Sequence, residues 1–253
     1  MILLRRSAHG PEVLLLRRRK GASFMASAFV FPGGGADPGE DARTAAAREL
    51  FEEAGVLLAR EAVVHSIEAL RQRVLAGEHA TAVLAASGLT WWTDVLVPWA
   101  HWITPSAEPR RFSARFFVAE LPEGQSPRFD DVETVEQIWV APADAIARAG
   151  ELMLPPPQLR TMWELQDLPT VADVLAAAHA RAHEPHPILP RLCAAADGGP
   201  CLLMPWDPEY GERGTGESAP LTYHPAWARG PSRFVLEDRS WKHVAAPGST
   251  TAG

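Results

Sequence analysis

The sequence predicts an α+β fold, a mixed β-sheet sandwiched between helices, and three observations predict it. Short runs at 13–16, 29–31, 91–103, 112–121 and 135–140 have the aliphatic, β-branched or aromatic content of strands. Between the second and third of them a glycine-rich turn leads into a segment, 41–55, whose acidic and apolar residues fall on opposite sides of a helix. After it, 60–86 is rich in Ala, Leu, Glu and Arg, with Val63, Ile67, Leu70 and Val74 three or four residues apart, an amphipathic helical pattern. Strands interleaved with such helices form a sheet with helices on its faces.

At 253 residues the chain has room for one large domain or one domain with an extension. The expected division is 1–154, with a helical insertion at about 60–88, and an extension, 155–253, packed on it because few of its segments could bury a core alone. Hydrophobic residues are 47% and charged residues 22%, ordinary for a soluble globular protein. A net charge of −7 argues against bulk binding of nucleic acid or of an anionic membrane. Residues 1–20 carry short apolar runs broken by Arg5, Arg6, Arg17, Arg18 and Arg19. They read as neither a secretory signal nor a membrane span, and the cytoplasm is the expected location. Cys193 and Cys201 have no partners at zinc-like spacing and read as free thiols.

Taken in order, 13–16 is a buried strand emerging at a polar edge, Arg17 to Lys20, where alternation puts Arg17 and Arg19 on one side. Residues 29–31 form a second strand feeding the glycine loop. The acidic helix starts near Asp41 and stops at Gly55, a residue suited to the left-handed position that ends a helix. The amphipathic stretch breaks at Gly77 into two helices. Residues 91–103 and 112–121 make an antiparallel pair around a turn at 105–111, followed by a strand at 135–140 and a short helix at 143–149 that Gly150 ends. Pro155, Pro156 and Pro157 stop the chain ahead of a helix at 158–165. A second, Ala-rich helix spans 171–181, 183–190 is a proline-punctuated loop, 202–205 and 234–236 are strand candidates, and 246–253 is a frayed end.

The acidic helix carries the chemistry. At about 100° per residue, Glu49, Glu52 and Glu53 share one arc, while Ala47, Leu50, Phe51 and Ala54 occupy the other. Clustered carboxylates repel one another unless cations neutralise them, and hard divalent ions with oxygen ligands meet that need. The spacing runs from Gly34 through five residues to Glu40, then seven residues to Arg48-Glu49, an aliphatic, any residue, Glu52-Glu53, any residue, Gly55 and an aliphatic. With every fixed position filled, the pattern resembles the Nudix box, the signature of hydrolases that cleave a nucleoside diphosphate linked to another moiety. That resemblance implies a Nudix fold, with its sheet between helices, and phosphoanhydride hydrolysis assisted by Mg²⁺ or Mn²⁺. It implies metal binding by Glu49, Glu52 and Glu53, with Glu49 also a candidate base, and it leaves open which carboxylate takes the proton. Arg48, four residues before Glu52, can orient a carboxylate through a charge-assisted hydrogen bond, and Glu40 can serve the loop in the same way. Gly34, in the glycine loop, lets the backbone approach closely enough to lend a carbonyl to a metal. Glu133 and Glu136 are candidates for a further acid from outside the box.

Substrate choice lies beyond the box. The entry to it, from Val13 through Arg17, Arg18 and Arg19 to Phe24-Met25 and Phe31-Pro32-Gly33-Gly34, is similar to that of coenzyme A diphosphatases of the mammalian peroxisomal kind and their bacterial relatives. So are Trp102 to Pro105, Pro109 to Phe117 and Leu154 to Leu165. Another branch of these enzymes carries Arg and Gly where this chain has Ser23 and Ser27. The resemblance implies coenzyme A or a derivative as substrate, with 3′,5′-ADP and 4′-phosphopantetheine products. Arg17, Arg19, Arg110, Arg111 and Arg115 are candidate phosphate contacts, since a guanidinium suits phosphate, and solvated strand ends are the other reading of each. Trp91, Trp92, Trp99 and Trp102 read first as core and second as stacking partners for adenine, and nothing demands His101 as a catalyst. The other functions in view are hydrolysis of a different nucleoside diphosphate derivative, such as ADP-ribose, NADH or a nucleotide sugar, and nucleotide binding by a regulator without turnover. A homodimer is compatible with the sequence.

Overall fold

The structure, a computed structural model, describes residues 1–21, 25–63, 66–181 and 186–247. Ser23 and Phe24 lie outside the described residues. The chain opens with a hairpin of strands β1 (Ile2–Ser7) and β2 (Gly10–Arg18). The sequence pointed only to 13–16, so β1 is an addition. Its register sets Arg5 opposite Glu12, and their side chains pair at 2.6 Å, so charges on the outer half of the hairpin neutralise each other while Ile2, Leu3 and Leu4 are fully buried.

Strand β2 is the hub. Its residues 13–18 pair with β6 (Thr134–Val140) on one edge. On the other edge it pairs first with β1 and then with β3 (Phe29–Val30). Strand β1 lies parallel to β5 (Ser113–Glu120), which is antiparallel to β4 (Val97–Ile103). Strand β4 in turn runs parallel to β7 (Pro187–Ile188), completing a mixed seven-stranded sheet. Two expectations change here. The strand expected at 91–103 begins at Val97, because Trp91 makes an isolated bridge to Ala59 and Thr93–Val95 coils into a 3-10 turn. The loop expected at 183–190 contains β7, whose two residues are held by β4; residues 183–185 lie outside the described residues.

Alternation along β1 and β2 sorts the core. Leu3, Leu14 and Leu16 face helix α1 (Ala42–Ala54) and pack with Ala47, Leu50 and Ala54. Ile2, Leu4, Val13 and Leu15 face the other way, toward Leu159, Met162 and Leu165 of α5 (Pro156–Leu165) and Val171, Val174 and Ala178 of α6 (Val171–Arg181). The expected amphipathic stretch becomes α2 (Ile67–Leu75) and α3 (Ala80–Ala86), separated around Gly77, and both pack with Phe51 on the outer side of α1. A short α4 (Pro142–Ala147) begins on a proline, whose missing N–H costs nothing in a first turn.

Beyond α6 the chain forms a second sheet, β8 (Arg191–Ala194), β9 (Pro200–Leu203), β10 (Arg233–Glu237) and β11 (Ser240–Val244), all antiparallel. The strand candidates at 202–205 and 234–236 fall on β9 and β10; β8 and β11 are additions, short and partly polar. A short α7 (Tyr210–Arg213) lies in the connection between β9 and β10. Cys193 faces Cys201 across the β8–β9 pair, and both are free. Leu202, Met204, Trp206 and Phe234 of this region share one cluster with Ile2, Leu4 and Met162. Ala246 is buried, and 248–253 lie outside the described residues.

A polar staple ties this region to α5. Arg160 is 1% exposed. Its guanidinium donates to the carbonyls of Trp227 (2.7 Å), Arg229 (2.9 Å) and Pro231 (3.1 Å) and to the Glu164 carboxylate (2.8 Å). Glu164 also receives Arg181 at 2.9 Å. Burial pushes the Glu164 carboxyl up, but Arg160 and Arg181 together outweigh burial and hold it below its usual range. Arg160→Met is expected to leave three carbonyls and a buried carboxylate short of donors and to cost about 3–5 kcal/mol. Chemical denaturation measures it, and an unchanged midpoint with unchanged slope would remove the staple from the account.

Candidate functional site: the acidic loop and helix

Helix α1 begins where Asp41 caps it, accepting from the N–H groups of Arg43 (2.9 Å) and Thr44 (3.2 Å). It ends at Gly55, at φ 68°, whose N–H bonds the Phe51 carbonyl at 2.9 Å. The helix is anchored at that end by a residue the motif does not contain. Arg71 of α2, 3% exposed, donates from Nε (3.1 Å) and Nη2 (2.7 Å) to the carbonyl of Glu52. A cation on the last carbonyls of a helix is favourable, and this one fastens the insertion to the acidic helix. Arg71 carries no local sequence signal, because its partner is a backbone oxygen nineteen residues away.

Arg48 organises the loop ahead of the helix. With its side chain 6% exposed, it donates to the Gly35 carbonyl (2.7 Å), to both Glu40 oxygens (3.0 Å at the shortest), to Glu49 (3.0 Å) and to Glu52 (3.1 Å). Glu40 closes the loop by accepting the Asp37 N–H at 2.9 Å. Burial pushes the Glu40 carboxyl up, and the hydrogen bonds from Arg48 and Asp37 outweigh it and hold it low. The guanidinium itself, although buried, is held more firmly protonated than usual by Glu40, Glu49 and Glu52.

The remaining acids are strained electrostatically. Burial raises Glu49 against the pull of Arg48, with Glu52 and Glu133 adding to the rise. Burial likewise raises Glu52 against Arg48, with Asp37 and Glu40 adding. Glu53 is 5% exposed and accepts the Gly33 N–H at 2.7 Å. Burial, opposed by that bond and helped by Glu49 and Glu133, pushes its carboxyl up to about 8. Gly34 fits tightly here, since a Cβ on it would lie 2.5 Å from a Glu49 carboxylate oxygen. Opposite the helix, Glu133 sits on a turn shaped by Asp130, whose carboxylate accepts the N–H groups of Val132, Glu133 and Thr134.

Glu49, Glu52, Glu53, Arg48, Gly34, Glu40 and Glu133 are therefore neighbours. Glu136 stands apart: it faces Arg17 across β2–β6, pairs with it at 3.0 Å, and lies on the side of Val13 and Leu15, away from α1. Among the described residues no three Asp, Glu, His or Cys side chains already converge as a metal site. Arg48 holds Glu49 and Glu52, and Gly33 holds Glu53. The donor set nevertheless suits a hard divalent cation, because three clustered carboxylates with raised proton affinity gain from one.

The candidate arginines divide among separate places. Arg17 stacks over Phe29 (5.9 Å), and Arg19 donates to the Val132 carbonyl (2.6 Å); with Arg18 and Lys20 they line an open basic depression beside the turn that carries Glu133. Arg110 lies over Phe112 (5.0 Å). Arg111 is engaged with the Thr104 carbonyl and with Glu217. Arg115 faces His101 across β4–β5 and lines a second cavity. Of the tryptophans, Trp99 and Trp102 are core, Trp91 is partly buried and donates to Thr81, and Trp92 is exposed.

Comparison with known proteins agrees with this geometry. The NUDIX domain family matches residues 1–161. The putative nudix hydrolase 7 of Caenorhabditis elegans is 34% identical over 171 residues, covering 64% of this chain and 57% of its own. The acyl-coenzyme A diphosphatase NUDT19 of Homo sapiens is 31% identical over 189 residues, covering 66% of this chain and 50% of its own. The chain thus spans about half the length of the curated relatives it matches. A NUDIX hydrolase from Alicyclobacillus acidocaldarius superposes with a TM-score of 0.61 at 26% identity, over 69% of this chain and 92% of that one. The matched segment takes in the whole acidic loop and the helix that Arg48 organises, and the chain belongs to the Nudix family of hydrolases.

Proposed function

We propose that this Nudix hydrolase cleaves the diphosphate linkage of coenzyme A or its thioesters, releasing 3′,5′-ADP and a 4′-phosphopantetheine product. The observation that carries the hydrolytic half is the buried Arg48 fan, which keeps carboxylates of raised proton affinity side by side next to a backbone loop. Nudix hydrolases use divalent ions. Glu49, Glu52 and Glu53 would hold Mg²⁺ or Mn²⁺ here, with Glu133 close by and the Gly34 backbone beside Glu49. A bound cation would polarise phosphoryl oxygens and acidify water. The chain's own residues orient and accept protons: Arg48 fixes Glu49 and Glu52, and Glu49 is the candidate base, with the Gly33 N–H fixing Glu53.

The coenzyme A half is supported by the resemblance around Arg17 to Gly34 and by the activity named for the human relative. The loop adds to it. Where another branch carries glycine, this chain has Ser27 at φ 65°, a backbone conformation that glycine adopts without cost. Ser27 also borders the basic depression of Arg17, Arg18, Arg19 and Lys20, which suits the phosphates of a nucleoside diphosphate derivative. The absence of that glycine is also what favours the second reading, hydrolysis of another nucleoside diphosphate derivative. Among the described residues no helix is long and apolar enough to cross a membrane.

Incubation with coenzyme A, an acyl-coenzyme A, ADP-ribose, NADH and a nucleotide sugar, each with Mg²⁺ or Mn²⁺, followed by chromatography, decides between the readings. The expected products are 3′,5′-ADP and 4′-phosphopantetheine, and intact coenzyme A beside rapid cleavage of another nucleotide would sink the substrate assignment. Glu53→Gln is expected to lower kcat by roughly 10²–10⁴-fold without unfolding the chain. In Gly34→Ala the new methyl must displace the Glu49 carboxylate, and a shift of about 1 Å there is expected to lower kcat about 10²-fold; wild-type turnover would show that the close approach is unimportant.

The Glu53 carboxyl binds its proton more tightly folded than unfolded, so its contribution to stability is full below the ordinary 4.5 and is lost as pH rises through about 8. Metal-free protein is therefore expected to show a falling Tm over that window, Mg²⁺ to raise Tm more at the alkaline end, and Glu53→Gln to flatten the slope. Calorimetry in chelator and in Mg²⁺ measures all three.

A further inference from the structure

A cavity of about 330 Å³ lies between strands β4 and β5 and the chain that follows α6. Trp99, Phe116, Ile188 and Trp227 give it apolar, mostly aromatic walls. Its polar lining is Arg115, Arg181, His101 and His186, all able to donate, and no carboxylate lines it among the described residues. Arg181 has a side chain only 8% exposed. Its guanidinium carbon lies 4.2 Å from the Trp99 ring centre and 5.2 Å from that of Trp227. One amino group binds Glu164, while the buried Nε has no hydrogen-bond partner among the described residues. Leaving such a donor unmet costs stability, which an acceptor on a ligand would recover.

One aromatic contact links the cavity to the segment that leads into the glycine loop. Phe116 meets Phe31 edge to face at 5.6 Å, and Phe31 precedes Pro32 and the Gly33 whose N–H holds Glu53. A group seated against Phe116 is thus one aromatic ring, Phe31, away from the residues that lead into the glycine loop.

We propose that this cavity seats the nucleoside end of the substrate, with the base among the aromatic walls and its ring nitrogens and ribose phosphate toward Arg115, Arg181 and the imidazoles. The assignment rests on the reading of the chain as a hydrolase of nucleoside diphosphate derivatives and holds for either substrate considered above. An acyl chain is a poor occupant, because hydrocarbon would leave the buried Arg181 Nε without an acceptor and cover the Arg115 guanidinium. A base supplies both an apolar face and acceptor nitrogens. Arg181, His186, Ile188 and Trp227 all lie beyond residue 161, so chain outside the matched family domain completes the cavity.

Binding of adenosine 3′,5′-bisphosphate, AMP, 4′-phosphopantetheine and decanoate to the full chain, by calorimetry and tryptophan fluorescence, tests this without turnover. The two adenosine ligands are expected to bind the wild type. Ala100→Phe, which fills the cavity, is expected to weaken them at least about tenfold, as the loss of one or more charge-assisted bonds would do, and to leave 4′-phosphopantetheine unchanged. Arg115→Ala, at the exposed rim, is expected to weaken adenosine 3′,5′-bisphosphate about tenfold at unchanged Tm, so the test survives if the first variant misfolds. Equal adenosine affinity in wild type and Arg115→Ala, or decanoate binding that Ala100→Phe abolishes, overturns the inference. If coenzyme A is not hydrolysed yet adenosine binding depends on the cavity, the substrate reading fails and this one stands; hydrolysis with cavity-independent adenosine binding is the reverse.

Discussion

One guanidinium holds the acidic site in shape. Arg48 is buried on a helix that already carries three carboxylates, and its donors reach one backbone carbonyl and three acids within 3.1 Å. Without a cation at that spot, Glu40, Glu49 and Glu52 would face one another in a poorly solvated corner and repel. With it, the loop from Gly33 to Glu40 is drawn onto the helix, and Gly34 lies so close to Glu49 that a side chain there would displace the carboxylate. The helix is secured at its other end by Arg71, which ties the insertion to the same element. Two arginines, one inside the signature and one outside it, thus hold the acidic helix to the loop before it and to the insertion after it.

The charge that Arg48 does not neutralise stays in the site as raised proton affinity. Glu53 shows it most, because its single fixed partner is a backbone N–H. A cation bound there would take the place of that proton, so that metal, pH and stability would be coupled in one place. The sheet supports this arrangement from below: Leu3, Leu14 and Leu16 form the floor on which Leu50 and Ala47 rest.

On the opposite face a second charged group joins the added chain to the domain. Arg160, Glu164 and Arg181 form a buried, mutually neutralised set, and the carbonyls of 227, 229 and 231 complete it. That set sits beside Trp99 and Trp227, and so the fastening of the added chain and the shape of the cavity at β4 and β5 depend on the same arginine, Arg181.

The sequence by itself determined the acidic helix, its start at Asp41, its stop at Gly55 and the face each residue presents, because helical period, capping and a left-handed terminus are local properties. The spacing of the acids and Arg48 was legible for the same reason, and so were the helices at α2, α3, α5 and α6. Strand β1, the two-residue β7 and the outer strands β8 and β11 were not, since short half-polar strands exist only through the neighbours that pair with them. Glu133 and Glu136 looked equivalent in sequence. Tertiary structure separated them, because the turn that Asp130 shapes brings one carboxylate near Glu49 and Glu53, while the β2–β6 register ties the other to Arg17 on the far face. It also decided what became of the arginines: the two basic stretches of the chain are, once folded, a basic depression, a bridge to Glu217 and the rim of an aromatic cavity, since a side chain's role is fixed by partners that are distant in sequence.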